Sequence, residues 1–443
     1  MSRVCAALLA SVALLAGAGA GAATLDIQTW QTANGARVYF VPAPEIPMLD
    51  VRVVFAAGSA RDGTKAGVAN LTNALLKEGA GARDADAFST ALGATGAILR
   101  TGAERDMAHA TLRTLAEPQY ADAALALFVD ALAAPRFDPA AVERVKARIL
   151  IGLEHKQQSP GEVAEDTFYA SVYDKHPYAS PPDGTEISVA ALGRDDVVAF
   201  HRQHYVARNA VIAIVGASDR ARAEAIAEQV SKPLIIGARA PALPEVAPTR
   251  AQAQRVEFPS IQSHVRVGLP GISRGDPDYF PLLVGNHALG GNSLVSILFR
   301  EIRGARGLSY SAYSYFVAMA RPGPFIAVLQ TDKSQEAEAL TVLNETIARF
   351  VKDGPPPDDL LAAKQNLIGG FPLRIGSNEQ IAEYIAMIGF YDLPLDYLAT
   401  FTAKVDEVTA DEVKAAFAKH VALDELVTVV VGRGAAADDK DGG

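Results

Sequence analysis

The residues able to do chemistry are few. Eight histidines are scattered along the chain: His109, His155, His176, His201, His204, His264, His287 and His420. His201 and His204 stand three apart, a spacing that turns two imidazoles toward one side of a helix, as two ligands of one metal ion require. No third ligand lies near them in sequence, and they read as an ordinary helix end. His287 stands alone among apolar residues and reads as packed or capped. The one cysteine, Cys5, falls in the leader described next, which leaves no thiol nucleophile and no thiolate metal ligand in the mature chain. No Ser/His/Asp arrangement stands out, so an independent hydrolase is disfavoured.

The elements around these residues begin with an export signal. Arg3 gives a positive start, Val4 to Leu15 are almost all apolar, and Ala16 to Ala23 offer small-residue cleavage sites. Residues 1–23 therefore read as a secretory signal peptide, and the expected location is the periplasm. The apolar run is too short to span a bilayer comfortably, and no later stretch reaches the necessary ~20 residues, so no stable membrane insertion is expected. The chain has 51 acidic against 41 basic residues, a net charge of −10. An acidic chain without a basic run is a poor partner for nucleic acid.

The length beyond the leader calls for two domains. Residues 237–254 carry three prolines and many alanines without a helical stripe, and read as an extended linker. The two sides look alike. Asp196 to Phe200, His204 and the apolar run Val211 to Val215 end at Gly216; Glu412 to Phe417, His420 and Leu426 to Val431 end at Gly432. Upstream, the stripe Val142, Val145, Ile149 and Leu153 is matched after Pro357 by Leu360, Lys364 and Ile368. This order predicts a duplicated α+β unit: residues 24–236, then 255–433. The small, acidic tail 434–443 is expected to be disordered.

Three stretches resemble the pitrilysin/insulinase-type zinc peptidases, in particular bacterial two-domain members. The first is Gly67-Val68-Ala69-Asn70-Leu71-Thr72-Asn73-Ala74. The second is His176-Pro177-Tyr178 with Gly184-Thr185-Glu186. The third runs from Leu289-Gly290-Gly291-Asn292-Ser293 through Leu298-Phe299-Arg300-Glu301-Ile302-Arg303 to Gly307-Leu308-Ser309-Tyr310. The resemblance implies two homologous domains, each a mostly antiparallel sheet packed with helices, joined by an extended linker. In the family, an H-x-x-E-H helix and a later glutamate bind zinc. The matching positions here are Asn70, Asn73, Ala74 and, about 80 residues on, Gly152. Nearby Glu154 is two residues off, about 200° round a helix. Amides and a methyl group are poor zinc ligands, so no metal is expected on this chain. The stripe Val68, Leu71 and Leu75 still suffices to bury the helix.

The family's second domain supplies an Arg/Tyr pair to substrate, and the matching residues are Arg303 and Tyr310. Arg300 and Arg306 are neighbours, but the seven-residue spacing favours Arg303. A tyrosine O–H and a permanently charged guanidinium can orient a peptide carbonyl and stabilise oxyanion character. Gly290, Gly291 and Asn292 form a bare loop that substrate could approach, or a plain helix-start turn. Asn292 or Ser293 can cap a helix with Leu294, Ile297 and Leu298 on its apolar face, ending near Gly304. The resemblance therefore implies a non-zinc subunit that positions peptides for a homologous zinc-bearing partner, with the zinc on that partner. A non-catalytic scaffold of the same fold is the alternative.

Overall fold

A computed structural model of the chain describes residues 25–291 and 295–433. The expected signal peptide (1–23), the expected disordered tail (434–443) and residues Asn292, Ser293 and Leu294 lie outside the described residues. The strands are β1 (Gln28–Gln31), β2 (Arg37–Pro42), β3 (Met48–Phe55), β4 (Ile98–Ala103), β5 (Ala108–Leu115) and β6 (Ala210–Gly216) in the first half. The second half holds β7 (Gln252–Glu257), β8 (Gln262–Ile272), β9 (Ser309–Phe316), β10 (Gly323–Asp332) and β11 (Val427–Gly432). The first sheet has the order β1-β2-β6-β3-β5-β4 and the second β7-β11-β8-β10-β9. Apart from the extra β1, the two orders correspond strand for strand. Each sheet has one parallel pair, β2 with β6 and β7 with β11, among antiparallel ones. The fold is thus α+β with two domains of one design.

The central strands of each sheet are buried on both faces, which explains the apolar run of β6 and the run of β11, interrupted only by Thr428. In β6, Ile212 and Ile214 face the first half's own helices, whereas Val211, Ala213 and Val215 face the other way. The second face is covered by a helix from the opposite half. Asn378–Phe390 lays Ile381, Ile385 and Ala386 across β2, β3 and β6. Reciprocally, the first-half helix Pro160–Tyr173 packs Phe168, Tyr169 and Val172 against β8 and β11. Polar contacts fix this exchange: Arg266 donates to the Gly161 carbonyl at 3.0 Å and to Glu165 at 3.1 Å.

Two sequence expectations shift. β7 occupies the end of the expected linker, because its polar residues form a solvent-exposed edge strand rather than free coil. The helix expected to bury the stripe Val68, Leu71 and Leu75 is α only over Val68–Ala74 and tightens to a 3-10 turn at Leu75–Lys77.

Candidate functional site

The helix Val68–Ala74 is held at its start by a buried carboxylate. Asp62 accepts from the Gly67 and Ala69 N–H groups at 2.7 and 2.9 Å, and burial pushes its carboxyl up to about 7. Gly67 and Gly184 both have positive φ and pack on each other. A Cβ on Gly184 would lie 2.7 Å from the Ala66 carbonyl and 2.9 Å from the Gly67 Cα. This close approach ties the first motif to the second.

The zinc-motif positions do not fit a zinc ion. Asn70 donates to Asp183 at 3.1 Å. Asn73 is buried and donates to the His109 carbonyl at 3.1 Å and to the Tyr205 hydroxyl at 3.2 Å, so its amide is used in joining the helix to β5 and to the residue after helix Arg194–His204. Ala74 packs against the first core. Asn70 and Gly152 face a cleft of about 460 Å³ that also contains His155, Lys156, Glu162 and Asp183. Lys156 pairs there with Asp166 at 2.9 Å and approaches Asp183 at 3.9 Å. Among the described residues, the one group of three potential ligand atoms within 4.8 Å is Asp276, Asp278 and His420 in the other half, where Lys419 reaches Asp278 at 2.6 Å.

The histidine pair is structural. His201 meets the Leu132 carbonyl at 2.9 Å and stacks on Tyr205, while His204 packs on Phe200. Burial lowers both to about 4. His287 meets Asn366 at 3.0 Å. His176 accepts the Tyr178 N–H on Nδ1, which leaves Nε2 to donate to the Pro244 carbonyl at 3.1 Å. Tyr178 is fully buried at the joint of the halves. Its hydroxyl donates to Asp106 at 2.5 Å and accepts the Arg321 N–H at 3.1 Å. Asp106 also accepts from Ala320 N–H at 2.7 Å and from Tyr391 at 3.0 Å. The His-Pro-Tyr stretch is therefore an interdomain rivet, a role its sequence alone did not reveal.

Arg303 and Tyr310 come together. The helix after Ser296 ends at Gly304, Gly307 takes a left-handed turn, and β9 begins at Ser309. The N-cap is Ser296, whose hydroxyl accepts the Phe299 N–H at 3.4 Å, while the expected cap positions Asn292 and Ser293 lie outside the described residues. The Arg303 guanidinium lies 4.4 Å from the Tyr310 ring centre and 5.0 Å from that of Phe299. Such contacts hold a guanidinium by about 0.5–1 kcal/mol at exposed sites. Tyr310 is 79% exposed. Among the described residues no hydrogen bond or ion pair engages the polar atoms of either side chain. The neighbours differ: Arg300 is bidentate on Asp359 at 2.8 and 2.7 Å, and Arg306 is bound by Glu301 at 3.0 Å. Neither Arg303 nor Tyr310 lines the cleft of Asn70 and Gly152.

Gly290 and Gly291 line a second cleft, of about 520 Å³, with Asn286, His287, Tyr313 and Arg374. A Cβ on Gly290 would lie 2.3 Å from Ser314 Oγ and 2.4 Å from its nitrogen. Its bareness is needed for this contact with β9, where Asn286 and Ser314 exchange hydrogen bonds of 2.9 and 2.7 Å.

The fold is that of a two-domain α+β protein, and the positions matched to the zinc motif hold Asn70, Asn73, Ala74 and Gly152. Residues 37–186 match the insulinase (peptidase family M16) model, and residues 191–367 match the peptidase M16 inactive domain model. The chain is similar to a solved peptidase M16 inactive domain from Pseudomonas fluorescens, at 40% identity and a TM-score of 0.90, covering 93% of this chain and 99% of that one. It belongs to the insulinase family, peptidase family M16. An uncharacterized zinc protease of Mycobacterium leprae is 27% identical over 395 residues, 86% of each chain. The non-peptidase homolog YmxG of Helicobacter pylori is 24% identical over 396 residues, 87% of this chain and 89% of that one.

Proposed function

We propose that this chain is the non-zinc subunit of a heteromeric periplasmic peptidase. It binds a peptide and positions it for hydrolysis by a homologous partner that bears the H-x-x-E-H motif and the zinc. The observation that carries this reading is the Arg303–Tyr310 pair, with its tyrosine exposed and the polar atoms of both side chains uncommitted among the described residues, in a chain whose positions matched to the zinc motif are Asn70, Asn73, Ala74 and Gly152. Tyr310 would donate its O–H to the scissile carbonyl. Arg303, braced by Tyr310 and Phe299, would present its charged N–H fork to the same oxygen as negative charge develops. Gly290, Gly291 and Asn292 would border the bound peptide. Neither Arg303 nor Tyr310 activates water, so the pair has a catalytic use only beside a site on another chain.

The name of the YmxG relative fits the absence of zinc ligands and also suits a scaffold with no role in hydrolysis. The test is affinity purification of the tagged chain from its native periplasm, followed by mass spectrometry and zinc analysis. Recovery of an H-x-x-E-H-bearing chain that holds the assembly's zinc is expected. Recovery of a homo-oligomer that cleaves peptides by itself would sink the proposal.

A further inference from the structure

One cleft carries a charge opposite to that of the molecule. The chain is acidic overall, yet a cleft of about 360 Å³ where the halves meet is lined by Arg37, Arg61, Arg239, Arg274 and Arg321 against one carboxylate, Asp392. Arg37 and Arg61 belong to the first half, Arg239 to the connecting segment, and Arg274 and Arg321 to the second half.

The carboxylates nearby do not balance these cations. Asp392 pairs with Arg37 and, at 2.8 Å, with Arg239. Arg321 pairs at 2.7 Å with Glu245, which is largely exposed. Arg61 donates to the Pro241 carbonyl at 2.6 Å, and Arg274 to the Tyr279 hydroxyl at 3.2 Å. Among the described residues neither has an ion-pair partner. Counting Asp106 and Glu245 with Asp392 still leaves two more guanidiniums than carboxylates.

A second observation is independent of charge. Among the described residues three arginines bury an Nε–H with no acceptor, Arg37, Arg266 and Arg274, and two of the three, Arg37 and Arg274, line this cleft. Buried donors without acceptors are rare, because their desolvation is uncompensated.

We propose that the cleft binds a small, multiply charged oxyanion of the oligophosphate class. A single peptide carboxylate brings one negative charge, too few for the excess of cations. An oligophosphate brings several, with oxygens that match guanidinium forks. Because the arginines come from both halves and from the segment between them, the bound anion clamps the halves together.

Inorganic tripolyphosphate titrated into the metal-free, full-length chain at constant ionic strength tests this, by calorimetry and by thermal unfolding. The expected result is saturable binding of one anion per chain with a raised melting temperature. Arg61→Gln and Arg274→Gln should each weaken binding at least tenfold. Arg239→Gln, on the connecting segment, should weaken it several-fold with the fold intact, so a folding failure in the other variants leaves the proposal testable. Arg222→Gln, at a surface pair with Asp122, should change nothing. The proposal is overturned by binding that does not saturate, by equal losses in Arg222→Gln, or by an acidic peptide that binds through these arginines when tripolyphosphate does not.

Discussion

Tyr178→Phe should weaken the joint between the halves more than any other single-oxygen deletion at the interface. The ring is fully buried, so a phenyl group keeps its packing and removes only the hydroxyl. Two hydrogen bonds go with it. One is the 2.5 Å donation to the Asp106 carboxylate, a charge-assisted bond of about 1.5–3 kcal/mol. The other leaves the Arg321 N–H without its acceptor, a further cost of about 1–3 kcal/mol. The expected total is about 2.5–6 kcal/mol. Tyr391→Phe removes only the longer 3.0 Å bond to the same carboxylate, and should cost about 1.5–2 kcal/mol. Because both phenols serve Asp106, the double variant should depart from additivity by more than about 0.5 kcal/mol. Urea unfolding of the four proteins reads all three values. A Tyr178→Phe protein within about 0.5 kcal/mol of wild type, or one less affected than Tyr391→Phe, would refute the reasoning.

Other outcomes follow from single contacts. Burial holds His201 at about 4, so between pH 6.5 and 4 the unfolded chain takes up the proton first and stability falls on acidification, by about 2 kcal/mol at pH 5 for this group. His201→Gln, which keeps a donor for the Leu132 carbonyl, should lose about that much less between pH 7.5 and pH 5 in paired melts; equal acid sensitivity would contradict the assignment. Gly290→Ala should destabilise by about 1–3 kcal/mol through its clash with Ser314, and faster amide exchange in β9 should accompany the loss. Ile385→Ala, which empties a buried site between the exchanged helix and the first sheet, should cost about 2–5 kcal/mol in chemical unfolding.

Much of the fold was legible because burial imposes a period. The apolar runs of β6 and β11, ending at glycines 216 residues apart, mark equivalent central strands in the two sheets. The stripe Val142, Val145, Ile149 and Leu153 lies in one helix, Pro139–Gln157. The exchange of helices was not legible. A stripe such as Ile381, Ile385 and Ile388 says that one face is covered, but not by which sheet. β7 was missed because an exposed edge strand needs no apolar alternation. At the site, the seven-residue spacing of Arg303 and Tyr310 allows one turn between helix end and strand start, and the two side chains do meet. The role of Gly290 was hidden because Ser314 approaches from a strand over 20 residues on. The arginine cleft was hidden for the same reason, since its members are scattered from Arg37 to Arg321 and no spacing rule joins them.

The most direct measurement is the rate of peptide cleavage by the purified chain mixed with the proposed zinc-bearing partner, compared with the same mixture containing Tyr310→Phe. Each protein alone should be inactive and the wild-type mixture active. Loss of the Tyr310 O–H should lower kcat by about 10²–10³ without preventing assembly. An unchanged rate in the Tyr310→Phe mixture, or full activity of this chain by itself, would contradict a substrate-gripping half-site.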